Sequence, residues 1–412
     1  MDDLAPRLSL EQRLAAELQQ LRTAELYRVR RAVEGGHGVA LTVQGRRCVN
    51  FCSNDYLGLA ADPRLAAAAR RALEVSGTGS GASALISGYN AEHGRLEEEL
   101  AAFLGRPRVL LFSSGWAANL GVLRALLSKS DTLIADELNH ASLIDGGRLS
   151  GARYVRVPHG EVAGFERALR DADAERREGK GERRETLVVT DAVFSMDGDI
   201  ADLPALTSLC QAHGASLMVD DAHGFGVLGA YGHGTVEHFS TPLASSLPPP
   251  AIQVATLGKS LGAAGAFVAG SETLLEYLIQ RARSWIFSTA PPPAIAAAAR
   301  AALRIVQAEP QRREALHANI RRFRSGAAQL GLGLSPSLTP IQPLVLGAAE
   351  RALSLSRHLY DSGYWVAAIR PPTVPRGTSR LRITLSATHT TAQVDGLLAA
   401  LAEGLLQLPA AA

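Results

Sequence analysis

The feature that most constrains this chain is a series of short β-rich apolar runs separated by stretches of helical periodicity. The runs are VLLF (109–112), TLIAD (132–136), TLVVTDAVF (186–194), SLMVDD (216–221) and IQVATL (252–257). Runs this short, bounded by turn residues and apolar almost throughout, read as strands buried on both faces. Helices are predicted over 63–75, over 91–104 behind Asn90, and in SSGWAANLGVLRALL directly after residue 112. Alternation of this kind predicts an α/β fold, a mostly parallel sheet with helices on both faces.

At 412 residues the chain is long enough for two domains. Pro291-Pro292-Pro293 breaks it ahead of an alanine-rich helix at 294–308, which places a boundary there. A large domain over 51–293 is then followed by a smaller α+β domain over 294–412. Its helices are expected near 310–330, 348–362 and 390–406, and its strands near 341–346 and 380–386. Residues 1–50 form a leading segment: an amphipathic helix within 9–34, with Leu10, Leu14, Leu18 and Leu21 at helical spacing, then a hairpin over 39–51 around Gly45-Arg46. The mixed-charge run 171–185 and the Pro/Ser-rich run 240–250 read as surface insertions.

Composition removes several function classes. The charge balance, 42 basic against 40 acidic residues, offers no face for nucleic acid or an anionic membrane. Three cysteines (Cys48, Cys52, Cys210) lack metal-site spacing and cannot all pair, so reduced thiols and no metal are expected. The start, MDDLAPRLSLEQRLAAELQQ, has no basic region followed by an apolar stretch, and no apolar run approaches a membrane span. A cytoplasmic location is expected.

The chemistry-bearing residues cluster at strand ends. Lys259 lies in TLGKSLG (256–262), and the run SLMV ends in Asp220-Asp221-Ala222-His223. Taken alone, such a lysine is a solvated surface group. On a glycine-flanked turn after a buried strand, with Asp-x-x-His upstream, it suggests a pyridoxal 5′-phosphate (PLP) site. An amine must form the Schiff base, a carboxylate must keep the pyridine nitrogen protonated, and donors must hold ring and phosphate. Consecutive Asp220 and Asp221 require a cationic partner if both are buried, and a pyridinium is one. Ser113-Ser114-Gly115-Trp116 supplies free N–H groups at a helix start, suited to a dianion. GTGSGA (77–82) and GKS (258–260) mimic nucleotide loops, but the first follows a helix and the second has Gln253 where a P-loop needs glycine. His140 follows strand 132–136, where an imidazole could stack on a ring. Arg380 and Arg382 alternate on one strand and share a face, so one of them suits a substrate carboxylate.

These residues together resemble the α-oxoamine synthases, PLP enzymes of fold type I, the aspartate aminotransferase fold. The resemblance runs through NFCSNDYLGLA (50–60), GTGSGASALISGYNAEHGRLEEELAAFLG (77–105), FSSGWAANLG (112–121), NHASLIDGGRLSGA (139–152), DAVFSMDGDIADLPAL (191–206), VDDAHGFGVLG (219–229), TLGKSLG (256–262) and IFSTAPPP (286–293). It implies a mostly parallel seven-stranded sheet and a homodimer with shared active sites. It makes Lys259 the Schiff-base lysine, Asp220 the partner of the pyridine nitrogen and His140 the ring-stacking group, the three forming the catalytic set. His223 and Ser195 contact the phenolic oxygen and its surroundings, and Gly115, Trp116 and Thr256 hold the phosphate. Thr289 reaches the phosphate of the neighbouring subunit. Arg382 takes the amino-acid carboxylate, and Asn54, Arg28 and Thr373 lie toward the acyl substrate.

Within the family, IFSTAPPP and RPPTVPRGTSRLRITLSATH (370–389) look most like members that condense L-alanine with pimeloyl-CoA, or a carrier-protein thioester, in biotin synthesis. The alternatives are siblings using glycine with acetyl-CoA or serine with a long-chain acyl-CoA. A non-catalytic partner subunit should lack Lys259, and a PLP lyase or transaminase would release no thiol. The chain departs from the family pattern at Trp116, Asp191, Leu257 and Ala82, none of which removes a required chemical group.

Overall fold

The computed structural model describes residues 8–178, 185–240 and 247–408. Its centre is a seven-stranded sheet in the order Arg108–Phe112, Ala266–Gly270, Ile252–Thr256, Ser216–Asp220, Thr186–Asp191, Thr132–Asp136, Arg153–Val157. Ala266–Gly270 runs antiparallel to both neighbours, and every other neighbouring pair is parallel.

Side-chain alternation explains why both faces are buried. Leu110, Leu133, Leu187, Met218 and Val254 point to one face and pack with Val122 and Leu123 of the helix Gly115–Leu126 and with Leu275 and Leu278 of Glu272–Arg281. The intervening residues point to the other face. There Ile134, Val188 and Val219 meet Phe165, Leu206 and Cys210, while Val109, Leu111 and Phe267 join a core that continues into the C-terminal unit.

Five of the seven strands coincide with the sequence expectation to within three residues. Arg153–Val157 and Ala266–Gly270 were not expected. The first is an edge strand with two arginines and an only partly buried pattern. The second, AFVAG, is five residues sitting between glycines, too short to show periodicity. Part of 171–185 lies outside the described residues, although the helix Val162–Glu178 enters it. Most of 240–250 lies outside as well.

The N-terminal helix is shorter than expected, Leu10–Thr23, and Glu25 behind it turns left-handed with φ 56°. The hairpin forms as Ala40–Val43 and Arg46–Asn50. It pairs in parallel with Tyr364–Trp365, which ties the start of the chain to its C-terminal unit. That unit carries a second sheet, Ile341–Gly347, Ser379–Thr384 and Ala367–Ile369, backed by Ala349–Asp361 and Thr391–Leu406. The helix Pro293–Ala308 packs on Pro63–Ser76 and Ala91–Leu104. Among the described residues no helix is long and apolar enough to cross a membrane.

One glycine fixes the turn that carries Lys259. Gly262 has φ 61° and donates its N–H to the Lys259 carbonyl at 2.9 Å. A methyl group there would sit 2.2 Å from the Ala60 nitrogen, which is backbone and cannot yield. Gly214 has the same φ of 61° with nothing within 4 Å. Gly262→Ala should therefore lower unfolding free energy by about 3 kcal/mol or more, and Gly214→Ala by only ~1 kcal/mol. Urea midpoints of the two variants check this.

Candidate active site

Parallel strands deliver their last residues to one edge, and the polar residues of this chain are concentrated there. Asp136, Asp191 and Asp220 each end a strand. Lys259 follows Ile252–Thr256 by three residues, and Ser113-Ser114 follows Arg108–Phe112. Asp191, Asp220 and Lys259 border a cavity of about 180 Å³, lined also by Gly115, Trp116, Asn119, His140, Ser142, Val193, Ser195, Ala222, His223 and Thr256.

Lys259 is the centre of its polar network. Its Nζ lies 2.9 Å from His223 Nε2, and His223 Nδ1 lies 2.5 Å from the Tyr56 hydroxyl. An ammonium can only donate, so His223 Nε2 accepts and Nδ1 carries the proton. The Tyr56 hydroxyl then accepts from Nδ1 and donates to Asn54 Oδ1 at 3.2 Å. Burial, followed by the charges of Lys259 and Arg382, pushes the His223 pKa well below its ordinary value, so the ring is neutral. Burial also lowers the Lys259 amine to about 8, against the opposing pull of Asp220 and Asp191.

The two consecutive aspartates part company. Asp221 turns away into the protein, accepting from Thr235 N at 2.8 Å, Thr235 Oγ1 at 2.6 Å and Gln253 Nε2 at 3.4 Å, and burial raises its pKa to about 7. Asp220 faces the cavity, with Oδ2 accepting from Asn119 Nδ2 at 2.7 Å and Oδ1 from Ala222 N at 3.0 Å. Asp191 accepts from His140 N at 2.9 Å. Burial and then the neighbouring Asp220 push its pKa well above the ordinary carboxylate value.

At the cavity mouth the Trp116 indole meets the His140 ring edge-on, centroids 6.2 Å apart. His140 caps the helix Ala141–Ser150, and burial lowers its pKa. Ser114 caps Gly115–Leu126 by accepting from Ala117 N at 3.1 Å. The Gly115 and Trp116 N–H groups, first in the helix, have no intrahelical partner and border the cavity. The Thr256 hydroxyl donates to Gly265 O at 3.0 Å.

The alternating arginines differ in charge balance. Arg380 is buried and paired with Asp197. Arg382 is equally buried, yet its partners are neutral: Ser195 O at 2.6 Å, Asn54 Oδ1 at 3.1 Å and Thr384 Oγ1 at 3.2 Å. Among the described residues no carboxylate pairs with it. A buried guanidinium in that state is a ready receptor for a carboxylate.

Ten of the expected site residues thus surround one space: nine line the cavity or feed its hydrogen-bond network, and Arg382 reaches it through Ser195. Three lie elsewhere. Thr289 is exposed beside a neighbouring cleft that also holds Ser113 and Ser288. Arg28 and Thr373 are exposed and bonded to each other at 3.3 Å. Tyr56, Asn119 and Ser142 were not singled out from the sequence, although Tyr56 lies in NDYLGLA and Asn119 one turn after Gly115 in FSSGWAANLG.

The donor set fits PLP. The amine, the cavity-facing carboxylate and the free helix N–H groups match an aldehyde, a ring nitrogen and a phosphate. Asn119 Oδ1 and Asp191 Oδ1, both buried, have no hydrogen-bond partner among the described residues. No group of three or more His, Cys, Asp or Glu among those residues is placed to hold a metal ion.

Because Lys259 is charged below about pH 8 in a site that disfavours charge, it destabilises the cofactor-free fold there. Between about pH 8 and the ordinary lysine value near ~10.4 the unfolded chain binds more protons, so stability rises with pH across that window. Cofactor-free Lys259→Met should be more stable than wild type at pH 7 by about 1–3 kcal/mol, the gap closing above pH ~10. Thermal unfolding across pH checks this.

The family model for aminotransferase class I and II matches residues 46–401. An 8-amino-7-oxononanoate synthase from Methylococcus capsulatus is 54% identical over 393 residues, 95% of this chain and 98% of its own. Among solved structures, a serine palmitoyltransferase from S. paucimobilis with a bound PLP–myriocin aldimine superposes with a TM-score of 0.87. It is 29% identical and covers 97% of this chain and 98% of its own. An 8-amino-7-oxononanoate synthase from Francisella tularensis gives a TM-score of 0.72 at 32% identity, covering 87% of this chain and 98% of its own.

Proposed function

The chain belongs to the aminotransferase class I and II family, and from that premise we propose that it is an α-oxoamine synthase making 8-amino-7-oxononanoate for biotin. L-Alanine and a pimeloyl thioester, of CoA or a carrier protein, are joined with release of CO2 and the thiol. Relatives of that name at 53–55% identity over nearly the whole chain support this product over the serine palmitoyltransferase reaction, whose structures are 29–30% identical. Pyridoxal 5′-phosphate is the cofactor. When bound, it supplies an electron sink for the charge left when a bond to the amino-acid Cα breaks.

The observation that carries this reading is the unpaired guanidinium of Arg382, set in one polar network with the lowered-pKa amine of Lys259. Lys259 would hold the cofactor's aldehyde carbon, Asp220 its ring nitrogen, and Gly115, Trp116 and Thr256 its phosphate. His140 would cover the ring while His223 and Ser195 border its phenolic side. Thr289 would serve the site of the other subunit in a cytoplasmic homodimer. Arg28 and Thr373 would lie on the acyl path.

Arg382 orients the amino acid by its carboxylate. With a pKa of about 8, Lys259 is neutral in a useful fraction of molecules near neutral pH, so Nζ can take the Cα proton. Neutral His223, hydrogen-bonded to Nζ and backed by Tyr56 and Asn54, fixes the direction of that amine and does not repel it as a cation would. Asp220, held by Asn119 and the Ala222 N–H, faces the cavity where it would pair with a protonated ring nitrogen. Trp116 and His140 meet edge-on beside the cavity and narrow the approach to it.

Purified holoenzyme given L-alanine and pimeloyl-CoA should release thiol only when both are present, and Lys259→Ala should release none. A protein with a PLP absorbance band and no thiol release would shift the assignment to a sibling substrate. Arg382→Ala should weaken L-alanine by roughly 100-fold, the loss of a charge-assisted pair worth about 3 kcal/mol. KM values for the two substrates, measured separately, check this.

A further inference from the structure

A second charged cluster lies beside the site and outside the roles assigned above. His159 stands in the turn after the strand Arg153–Val157. Its Nδ1 is 3.1 Å from both carboxylate oxygens of buried Asp136, and its Nε2 is 3.0 Å from Asp199 Oδ2. Carboxylates only accept, so both ring nitrogens donate and the ring is an imidazolium. Its pKa is correspondingly raised to about 10 by the hydrogen bonds to Asp136 and Asp199. The Phe194 ring packs edge-on against it at 4.3 Å.

The two carboxylates belong to different parts of the fold. Asp136 ends a central strand and is also held by Leu138 N at 2.8 Å and Gly160 N at 3.0 Å. Asp199 belongs to a tight hairpin, residues 193–200, closed by Val193 against Ile200, Phe194 N to Asp199 O at 3.0 Å and Gly198 N to Phe194 O at 2.8 Å. That hairpin meets the C-terminal unit repeatedly, and Arg380 also donates to its Met196 carbonyl at 3.3 Å. The Ser195 carbonyl accepts from Arg382 Nε, Asp197 pairs with Arg380, and the Gly198 carbonyl accepts from Ser337 Oγ and Thr339 Oγ1 at 2.8 and 2.9 Å. His159 therefore adds a side-chain tie between the sheet and the segment on which Arg382 rests, beyond the chain connection from the strand Thr186–Asp191.

We propose that His159 is a positioning residue for amino-acid binding: bolted between Asp136 and Asp199, it fixes the 193–200 hairpin and, through the Ser195 carbonyl, the guanidinium of Arg382. This rests on the reading that Arg382 receives the substrate carboxylate. The Nε–H bond at 2.6 Å leaves little slack, so a shift of the hairpin is passed to the guanidinium. Asp199 Oδ1 is buried and has no partner among the described residues, so the hairpin's carboxylate depends on this one cation.

The test uses holoenzymes carrying His159→Asn, Asp199→Asn and both changes. L-Alanine binding is titrated by the visible absorbance of the bound cofactor, without acyl donor, and KM is measured for each substrate. Each single variant should bind L-alanine about 10- to 100-fold more weakly, the scale of a misplaced binding group. The pimeloyl-CoA KM should stay within about threefold, kcat at saturating L-alanine should fall less than affinity does, and the double variant should be no worse than the weaker single one. Unchanged L-alanine affinity, equal losses for both substrates, or additive losses in the double variant would each overturn the proposal. If His159→Asn does not fold, Asp199→Asn alone decides, since it breaks the same tie and leaves His159 on Asp136. If wild type does not bind L-alanine, the functional reading fails. Glycine or L-serine, which present the same carboxylate, then decide the clamp separately.

Discussion

Two aspartates ending neighbouring parallel strands in direct register, Asp191 against Asp220, set the terms for the rest of this structure. Each is nearly inaccessible to solvent, and like charges so placed cannot both be accommodated without donors or cations. The surrounding residues divide the task. Asn119 and a backbone N–H serve Asp220, while the His140 N–H serves Asp191 and burial drives that carboxyl toward its protonated form. Lys259 brings an amine to the same place, drawn by both carboxylates. Asp136, one strand further along, finds its cation in His159. The carboxyl edge of the sheet is thus a row of acids, each matched to a specific partner, and the active site is where that matching leaves capacity for a ligand.

The same logic separates the two buried arginines. Arg380 and Arg382 differ little in burial or strand position, but Asp197 satisfies the first and only neutral oxygens meet the second. The hairpin 193–200 supplies Asp197 to the first and the Ser195 carbonyl to the second. It therefore joins the large sheet to the C-terminal unit and assigns their separate tasks to two residues that sequence spacing treats alike.

Much of the fold was legible because parallel strands buried on two faces must be apolar throughout, and five of them announced themselves that way. The two that did not are an arginine-bearing edge and a five-residue run between glycines, where neither period nor length carries a signal. Around the cavity, Lys259, Asp220 and His223 were legible because motifs place Asp220 at a strand end and the other two on turns after strands. Tyr56 and Asn119 were not: one comes from an upstream loop and the other from a helix face, and only packing brings them to His223 and Asp220. Neither of the exposed pair Arg28 and Thr373 lines the cavity; they bond to each other instead.

By itself, the sequence determined the α/β architecture, the lysine–aspartate–histidine chemistry and the kind of cofactor it suits, because these follow from periodicity and from residue types at short spacing. Only the tertiary structure decided which of two adjacent aspartates faces the cavity, which of two alternating arginines lacks a carboxylate partner, and that His159 bonds to acids 23 and 40 residues away. Those outcomes depend on desolvation and on pairing between distant strands, and neither is written in the local pattern of the chain.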